Sequence, residues 1–546
     1  MKRIWRLPVL LLLPALIVGA VIAQDRIEAD STPSVRLNEM VPTASPDDAL
    51  SSTWYCAAGS ATGVTTGENA GIAEQTVVIA NATDVDATGA VTAYTESGET
   101  ALKAVTVGAH SQTSVRMSDV ISAPWASALV EVSGGGITVS HELRGPAGRS
   151  ISACASSPSS RWYFPAGTTR AGARNFLALF NPFPGEATLD ISFDTEDGAR
   201  TPQQLQGMVV PGGRLVMVDV SAIVTLRERV ATTINVRIGR VIAEQIQTAD
   251  GRSNSEQGLT SVLGATTVAP LWTFPVATAA STTAREIVSV MNTAEFDTEV
   301  QVEVLLDDPA TNGSVEPFVL QVASNRSAQI DLGSDPRIPK SVGRWLIVRS
   351  ANDALIVVER SIGATRSDSA GGLAFTMGVP VLATSWLGTL ATTSDASSSL
   401  IAVANPSATA TATVTVSTHA LGSKREISTT RSVRIAPGQR LVLNLASIAT
   451  DRTNASVQVE SDQPVVVGQW ITTSTPMEII TLSDFPLVGT ESLPVDVFTP
   501  NQAVAASAGI PSDDTVPETT TSAAPVTTAV PSSTTTVAGA TTSTVR

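Results

Sequence analysis

The sequence predicts an all-β protein: four tandem immunoglobulin-like antiparallel β-sandwich units, preceded by an N-terminal hydrophobic helix and followed by a disordered C-terminal tail. Three observations lead there. Tryptophan recurs at Trp54, Trp162, Trp272 and Trp386, at spacings of 108, 110 and 114 residues. The contexts are related: TWYCAAGS, RWYFPAGT, LWTFPVAT and SWLGTLAT. Hydrophobic residues then alternate, as in ATLDISFDT (187–195) and TATVTVST (411–418), the period of a strand with one buried face. Turn residues break the pattern about every 8–12 positions, and no amphipathic helix of more than two turns is legible.

Taken in order, residues 1–23 are a signal peptide or membrane anchor. Lys2, Arg3 and Arg6 precede the apolar run Leu7–Ala23, and Asp25, Glu28 and Asp30 follow it. That charge order leaves the N-terminus in the cytoplasm and sends the rest outside. Seventeen apolar residues lie near the minimum for a span, and Val21 and Ala23 also suit cleavage before Gln24, so both readings stay open. Residues 24–50 read as a polar linker with Pro33, Pro42 and Pro46.

The four units occupy residues 51–158, 159–268, 269–383 and 384–490. Each carries an aliphatic stretch ending in asparagine, at Asn81, Asn181, Asn292 and Asn405. A turn such as VPGGRLVMVDVS follows, and a pair of strands about a short turn, such as ALVEVSGGGITVSHEL, closes the unit. About seven strands in roughly 110 residues fit a sandwich, and a propeller blade is less than half that length. Short junctions favour fixed angles between units. Residues 491–546 are rich in Thr, Ser, Pro and Ala and read as a disordered tail.

The formal net charge is −16, with only four lysines and no basic face, which argues against nucleic acid as a partner. Outside the cytoplasm the lone pair Cys56 and Cys154 is expected to form a structural disulfide. A redox or metal role would need a CxxC spacing or a nearby histidine. Among the three histidines, His110 and His419 fall in expected loops. No HExxH, GxSxG or SxxK pattern occurs, so no catalytic, cofactor-binding or metal-binding residue is assigned. The acidic stretches TDVDAT (83–88) and DTEDG (194–198) read as turns rather than cation loops.

One column of residues is polar in every unit: His141, Gln245, Glu359 and Gln469, on the closing strand. A shared site would present four such groups along one side of the protein; the expectation is an ordinary solvent-facing strand position. Trp54, Trp162, Trp272 and Trp386 are expected to be core markers of the repeats, because buried tryptophan anchors this architecture.

The WYC start (Trp54, Tyr55, Cys56) and the single hydrophobic segment resemble a domain-of-unknown-function family of exported actinobacterial cell-envelope proteins. The repeats also resemble the WYFAEG modules of bacterial surface proteins, RWYFPAG most closely. The resemblance spans about residues 50–490 and implies location and fold, with no activity to carry over. The expected function is a non-enzymatic envelope scaffold or interaction platform in cell-wall or surface-polysaccharide assembly; the alternative is a glycan-binding adhesin. Expected partners are envelope proteins or cell-surface glycans, and the membrane through an uncleaved N-terminal segment.

Overall fold

The structure, a computed structural model, describes residues 40–63, 72–251, 256–277, 285–339, 342–364, 372–389, 396–420, 427–429, 432–444, 455–473 and 479–499. The expected signal or anchor at 1–23, most of the linker and the tail beyond 499 lie outside them. Among the described residues no helix is long and apolar enough to cross a membrane. The fold is all-β, in antiparallel sheets.

The first repeat has β1 (Ser51–Cys56), β2 (Glu74–Asn81), β3 (Ala87–Thr95), β4 (Thr100–Val107), β5 (Ser111–Arg116), β6 (Ala126–Ser133), β7 (Ile137–Gly145) and β8 (Gly148–Ala153). They form two sheets, β1-β6-β3-β4 and β5-β2-β7-β8. Trp54, Val77, Ile79, Val91, Val130 and Val139 are among the side chains buried between these strands. Residues 161–263 and 271–377 each repeat this pair of sheets, and in the fourth repeat the strands join into one ten-stranded sheet.

Two details depart from the sequence-based expectation. The closing strands β6 and β7 lie in opposite sheets, because the turn between them is an arch rather than a hairpin. Gly134 and Gly136 turn it with φ of 85° and 62°, a region that costs glycine little. In the immunoglobulin order the first strand lies with the second; here β1 pairs with β6, and β7 takes the place beside β2. In the fourth repeat one strand, Ala455–Thr473, makes the crossing unbroken: its first half pairs with Leu382–Thr389 and its second with Ala396–Ala404. The second departure is an eighth strand after the expected last one: β8, and its counterparts Gln257–Leu263, Gly372–Met377 and Ile479–Ser483.

The repeated asparagines are pins. Asn181 is buried; its amide donates to the carbonyls of Gly185 (2.8 Å) and Val210 (3.1 Å), and its Oδ1 accepts from Phe183 N (3.0 Å). Asn81, Asn292 and Asn405 make the same three kinds of contact. Each side chain thus ties a turn carbonyl to the carbonyl of a strand-end residue, and its own polar atoms, expensive to bury alone, are satisfied in doing so.

Two boundaries shift, and one histidine moves from an expected loop into a strand. Met40, Thr43 and Ala44 at the end of the expected linker are buried, and Ala44 bridges to Leu487. Residues 491–499 of the expected disordered tail pack on the fourth repeat: Leu382 pairs with Ser492, Ser407 with Val497, and Phe498 N donates to Pro406 O. Val497 and Phe498 are the apolar residues of this stretch that pack against the core. His419 lies in the strand Ala412–Ala420 rather than in a loop, since its backbone is paired on both sides.

Candidate functional site

Each repeat closes in the same way. The residue after the tryptophan pairs with the chain just past the eighth strand: Tyr55 with Ala155, Tyr163 with Ala265, Thr273 with Val379 and Leu387 with Phe485. The side chains beside these bridges therefore form four equivalent pairs: Cys56 with Cys154, Phe164 with Gly264, Phe274 with Gly378, and Gly388 with Asp484. In the first repeat the pair is the disulfide, with both cysteines buried. In the next two a phenyl ring occupies that space: a Cβ at Gly264 would lie 2.6 Å from Phe164 Cζ, and one at Gly378 2.8 Å from Phe274 Cζ. The fourth pair is reversed, with the small residue on the first strand: a Cβ at Gly388 would lie 2.5 Å from Asp484 Oδ1. Trp54, Trp162, Trp272 and Trp386 are all buried. The last three donate their indole N–H to backbone carbonyls of Val241, Ile356 and Val465.

The polar column is buried, not solvent-facing: His141, Gln245, Glu359 and Gln469 are at most 1% exposed. The reason is strand parity. His141 follows Ile137 and Val139 at intervals of two, so it points to the face that carries the core. His141 Nε2 lies 2.7 Å from Glu244 Oε1 of the second repeat, and its Nδ1 lies 3.1 Å from the Gln75 amide. Gln245 donates to Ala166 O (3.0 Å), and Ala166 N donates to Glu359 Oε2 of the third repeat (2.8 Å). Gln469 donates to Thr389 O (3.0 Å) and to Asp484 Oδ1 (2.5 Å). Two of the four column residues therefore join neighbouring repeats.

Burial shifts the titration of Glu359, Asp484, Glu303 and Arg360. Glu359 is pushed up to about 8 by desolvation, with the Ala166 N–H holding it partly back. Asp484 is pushed up to about 7 by desolvation, against the Gln469 hydrogen bond. Glu303 also rises to about 7 through burial, although Arg349 lies 2.9 Å away. Arg360 is pushed down to about 10 by burial, opposed by Glu286.

The eighth strands bring the repeats together. Ser261 N donates to Ser150 Oγ (2.9 Å), joining repeats one and two, and Phe375 N donates to Thr260 Oγ1 (2.9 Å), joining two and three. Arg440 of the fourth repeat holds Asp307 of the third through Nε (2.6 Å) and Nη2 (2.9 Å). Ser140 meets Thr389 at 2.5 Å, and Ile151 packs with Ile471, Ile480 and Leu482, closing four back onto one. Where the four meet, a cavity of about 100 Å³ is lined by residues of every repeat and by Met40, Val41 and Pro42.

The acidic stretches are structural. Asp194 of DTEDG accepts from Arg326 Nε (2.6 Å) and Ser327 N (2.7 Å) at the junction of repeats two and three, while Asp86 Oδ1 accepts from Ala109 N (2.8 Å). His110 is half-buried, with Nε2 2.7 Å from Asp84 Oδ1. Among the described residues no three His, Cys, Asp or Glu side chains are grouped to hold a metal.

Paired antiparallel sheets repeated along one chain and locked at buried polar junctions define a tandem all-β protein. Residues 136–342 are covered by a domain of a family of unknown function (DUF5719). No curated protein matches the chain. Two solved structures are similar to parts of it. One is the crystal structure of Thermotoga maritima 1070, 20% identical, covering 20% of this chain and 93% of that one, with a TM-score of 0.17. The other is a tetra-tandem repeat from the extending region of a large adhesion protein, 12% identical, covering 83% of this chain and 100% of that one, with a TM-score of 0.09.

Proposed function

We propose that the chain is a non-enzymatic, exported cell-envelope protein whose four immunoglobulin-like sandwiches form a rigid interaction platform in cell-wall or surface-polysaccharide assembly. The observation that carries this reading is the closed set of junctions. Polar side chains inside the repeats, His141 with Glu244 and Glu359 with Ala166, are spent on fixing one repeat against the next. Such junctions hold outward loops at set distances, which suits a scaffold. The buried Cys56–Cys154 disulfide supports an oxidising compartment, and the run Leu7–Ala23 with its flanking charges supports export. Partners are envelope proteins or surface glycans.

The test combines fractionation of the host with crosslinking of the full chain in its envelope, and with a glycan array on the purified protein. Recovery in the envelope fraction, crosslinked to wall- or polysaccharide-assembly proteins, is the expected result. Selective glycan binding that loop substitutions abolish would favour the adhesin instead. Turnover of a wall substrate by the purified chain would overturn the non-enzymatic reading.

A further inference from the structure

The junction between repeats two and three differs from its neighbours in the residues that face it. In the sheet that holds Arg285–Asn292 and Ile356–Ala364, Val288 and Val290 point to the core, so Ile287, Ser289 and Ser361 point out towards the second repeat. Strand register fixes their counterparts. Ile287 pairs with Ser361 and Ser289 with Gln329, as Phe176 pairs with Ile246 and Ala178 with Met217, and as Leu400 pairs with Trp470 and Ala402 with Val442. In repeats two and four these faces are apolar and packed on the preceding repeat: the Phe176 ring centroid lies 6.1 Å from that of Trp125, and Trp470 and Ala402 pack with Val276 and Ala374. The third repeat carries Ser289, Gln329 and Ser361 instead, and a cleft of about 50 Å³ stays open there. The second repeat supplies the other wall, with Thr168, Arg170, Glu228 and Glu256. Two junctions thus close with apolar groups at this place, so packing does not demand the three polar residues.

We propose that this cleft binds the edge of a neutral sugar, whose hydroxyls are hydrogen-bonded by Arg285, Glu256, Gln329 and Ser361; the inference rests on the reading that surface glycans are partners. The lining holds two guanidiniums, Arg170 and Arg285, and two carboxylates, Glu228 and Glu256, so it favours neither an anion nor a cation. Sugar hydroxyls both donate and accept, which matches a wall of guanidinium, carboxylate, amide and hydroxyl groups. Arg170 anchors Glu256. A Cβ at Gly363 would lie 2.9 Å from Glu256 Cδ, so glycine there gives the carboxylate room against the third repeat. The Arg285 side chain is 43% exposed, and its acidic neighbours Glu256 and Asp331 lie 3.5 and 3.7 Å away, which leaves donors of its fork for a ligand. The cleft has room for about four waters. Hydroxyls that reproduce the hydrogen bonds of such waters displace them without loss of affinity.

Saturation-transfer NMR is run on the full chain with the methyl glycosides of glucose, mannose and galactose, and with methyl glucuronide and glucosamine as anionic and cationic comparators. A neutral glycoside is expected to bind, and more tightly than either charged comparator. Arg285→Ala should weaken it about tenfold, the worth of a hydrogen bond from a charged donor. The triple variant Ser289→Ala/Gln329→Met/Ser361→Ile copies the packed face of the second repeat, so it should keep the melting temperature and lose the binding. Absence of binding by every neutral glycoside overturns the site and leaves envelope proteins as the partners of the platform. Binding that survives in the triple variant, or is unchanged in Arg285→Ala, also overturns the site while leaving a glycan partner in place. Equal or tighter binding of a charged comparator refutes the selection for a neutral sugar.

Discussion

Glu359→Gln tests the buried junction between the second and third repeats. Glu359 is fully buried and accepts one hydrogen bond, from Ala166 N at 2.8 Å. Its folded value of about 8 stands against an ordinary 4.5. A carboxyl raised in this way contributes stability that is fully present below its unfolded value and is lost as pH rises through its folded one. The loss therefore runs from about pH 4.5 to about pH 8. The full difference corresponds to about 5 kcal/mol, an upper figure because relaxation and water entry lighten the burden on a buried charge. Glutamine keeps an oxygen for Ala166 N and does not titrate. The assay is thermal unfolding by circular dichroism from pH 5 to pH 9 for both proteins, disulfide intact. Near pH 5 the two should melt within a few degrees of each other; the variant should pull ahead steadily towards pH 8 and then hold its lead. Parallel melting curves across that range would refute the reasoning, because the carboxyl would then be ionised in the folded protein at no measurable cost.

Replacing Cys56 and Cys154 together by alanine should destabilise the protein by about 4–5 kcal/mol in the loop-closure account, since the bridge spans 98 residues; a thiol assay on the denatured wild type should find no free cysteine. Asn181→Ala removes three hydrogen bonds from a buried turn and should cost about 2–4 kcal/mol, read as a lowered denaturation midpoint. Gly264→Ala forces a methyl against the buried ring of Phe164 and should cost about 1–3 kcal/mol in the same measurement. An unchanged midpoint in either variant would contradict the packing described.

Much of the architecture was legible because the chain can be compared with itself. Trp162 and Asn181 recur with their neighbours, and strand alternation supplied the rest. The polar column was misjudged for a physical reason. On a strand such as Ile137–Gly145 the first five residues are all buried, because one face meets its own core and the other meets a neighbouring repeat. Alternation then no longer marks which face is wet, and a buried His141 looks like an exposed one. The eighth strands were missed because SISACASS, TSVLGATT and AFTMGVPV share little beyond their spacing to the next tryptophan. That spacing, eight residues in each case, was the available signal for Cys154, Gly264 and Gly378 as one position. The fourth repeat has no following tryptophan, which hid Asp484.

By itself the sequence determined the all-β class, the fourfold repetition and the partnership of two cysteines. Those follow from local periodicity and from the short list of residues able to fill each role. Which sheet each closing strand joins, and which repeats touch, was decided only in three dimensions. The arch at Gly134–Gly136 could as readily have been a hairpin as a crossing, and contacts such as Ala166 with Glu359 join residues 193 positions apart. Burial, and with it the protonation of Glu359 and Asp484, comes from the whole assembly of repeats. No single strand carries it.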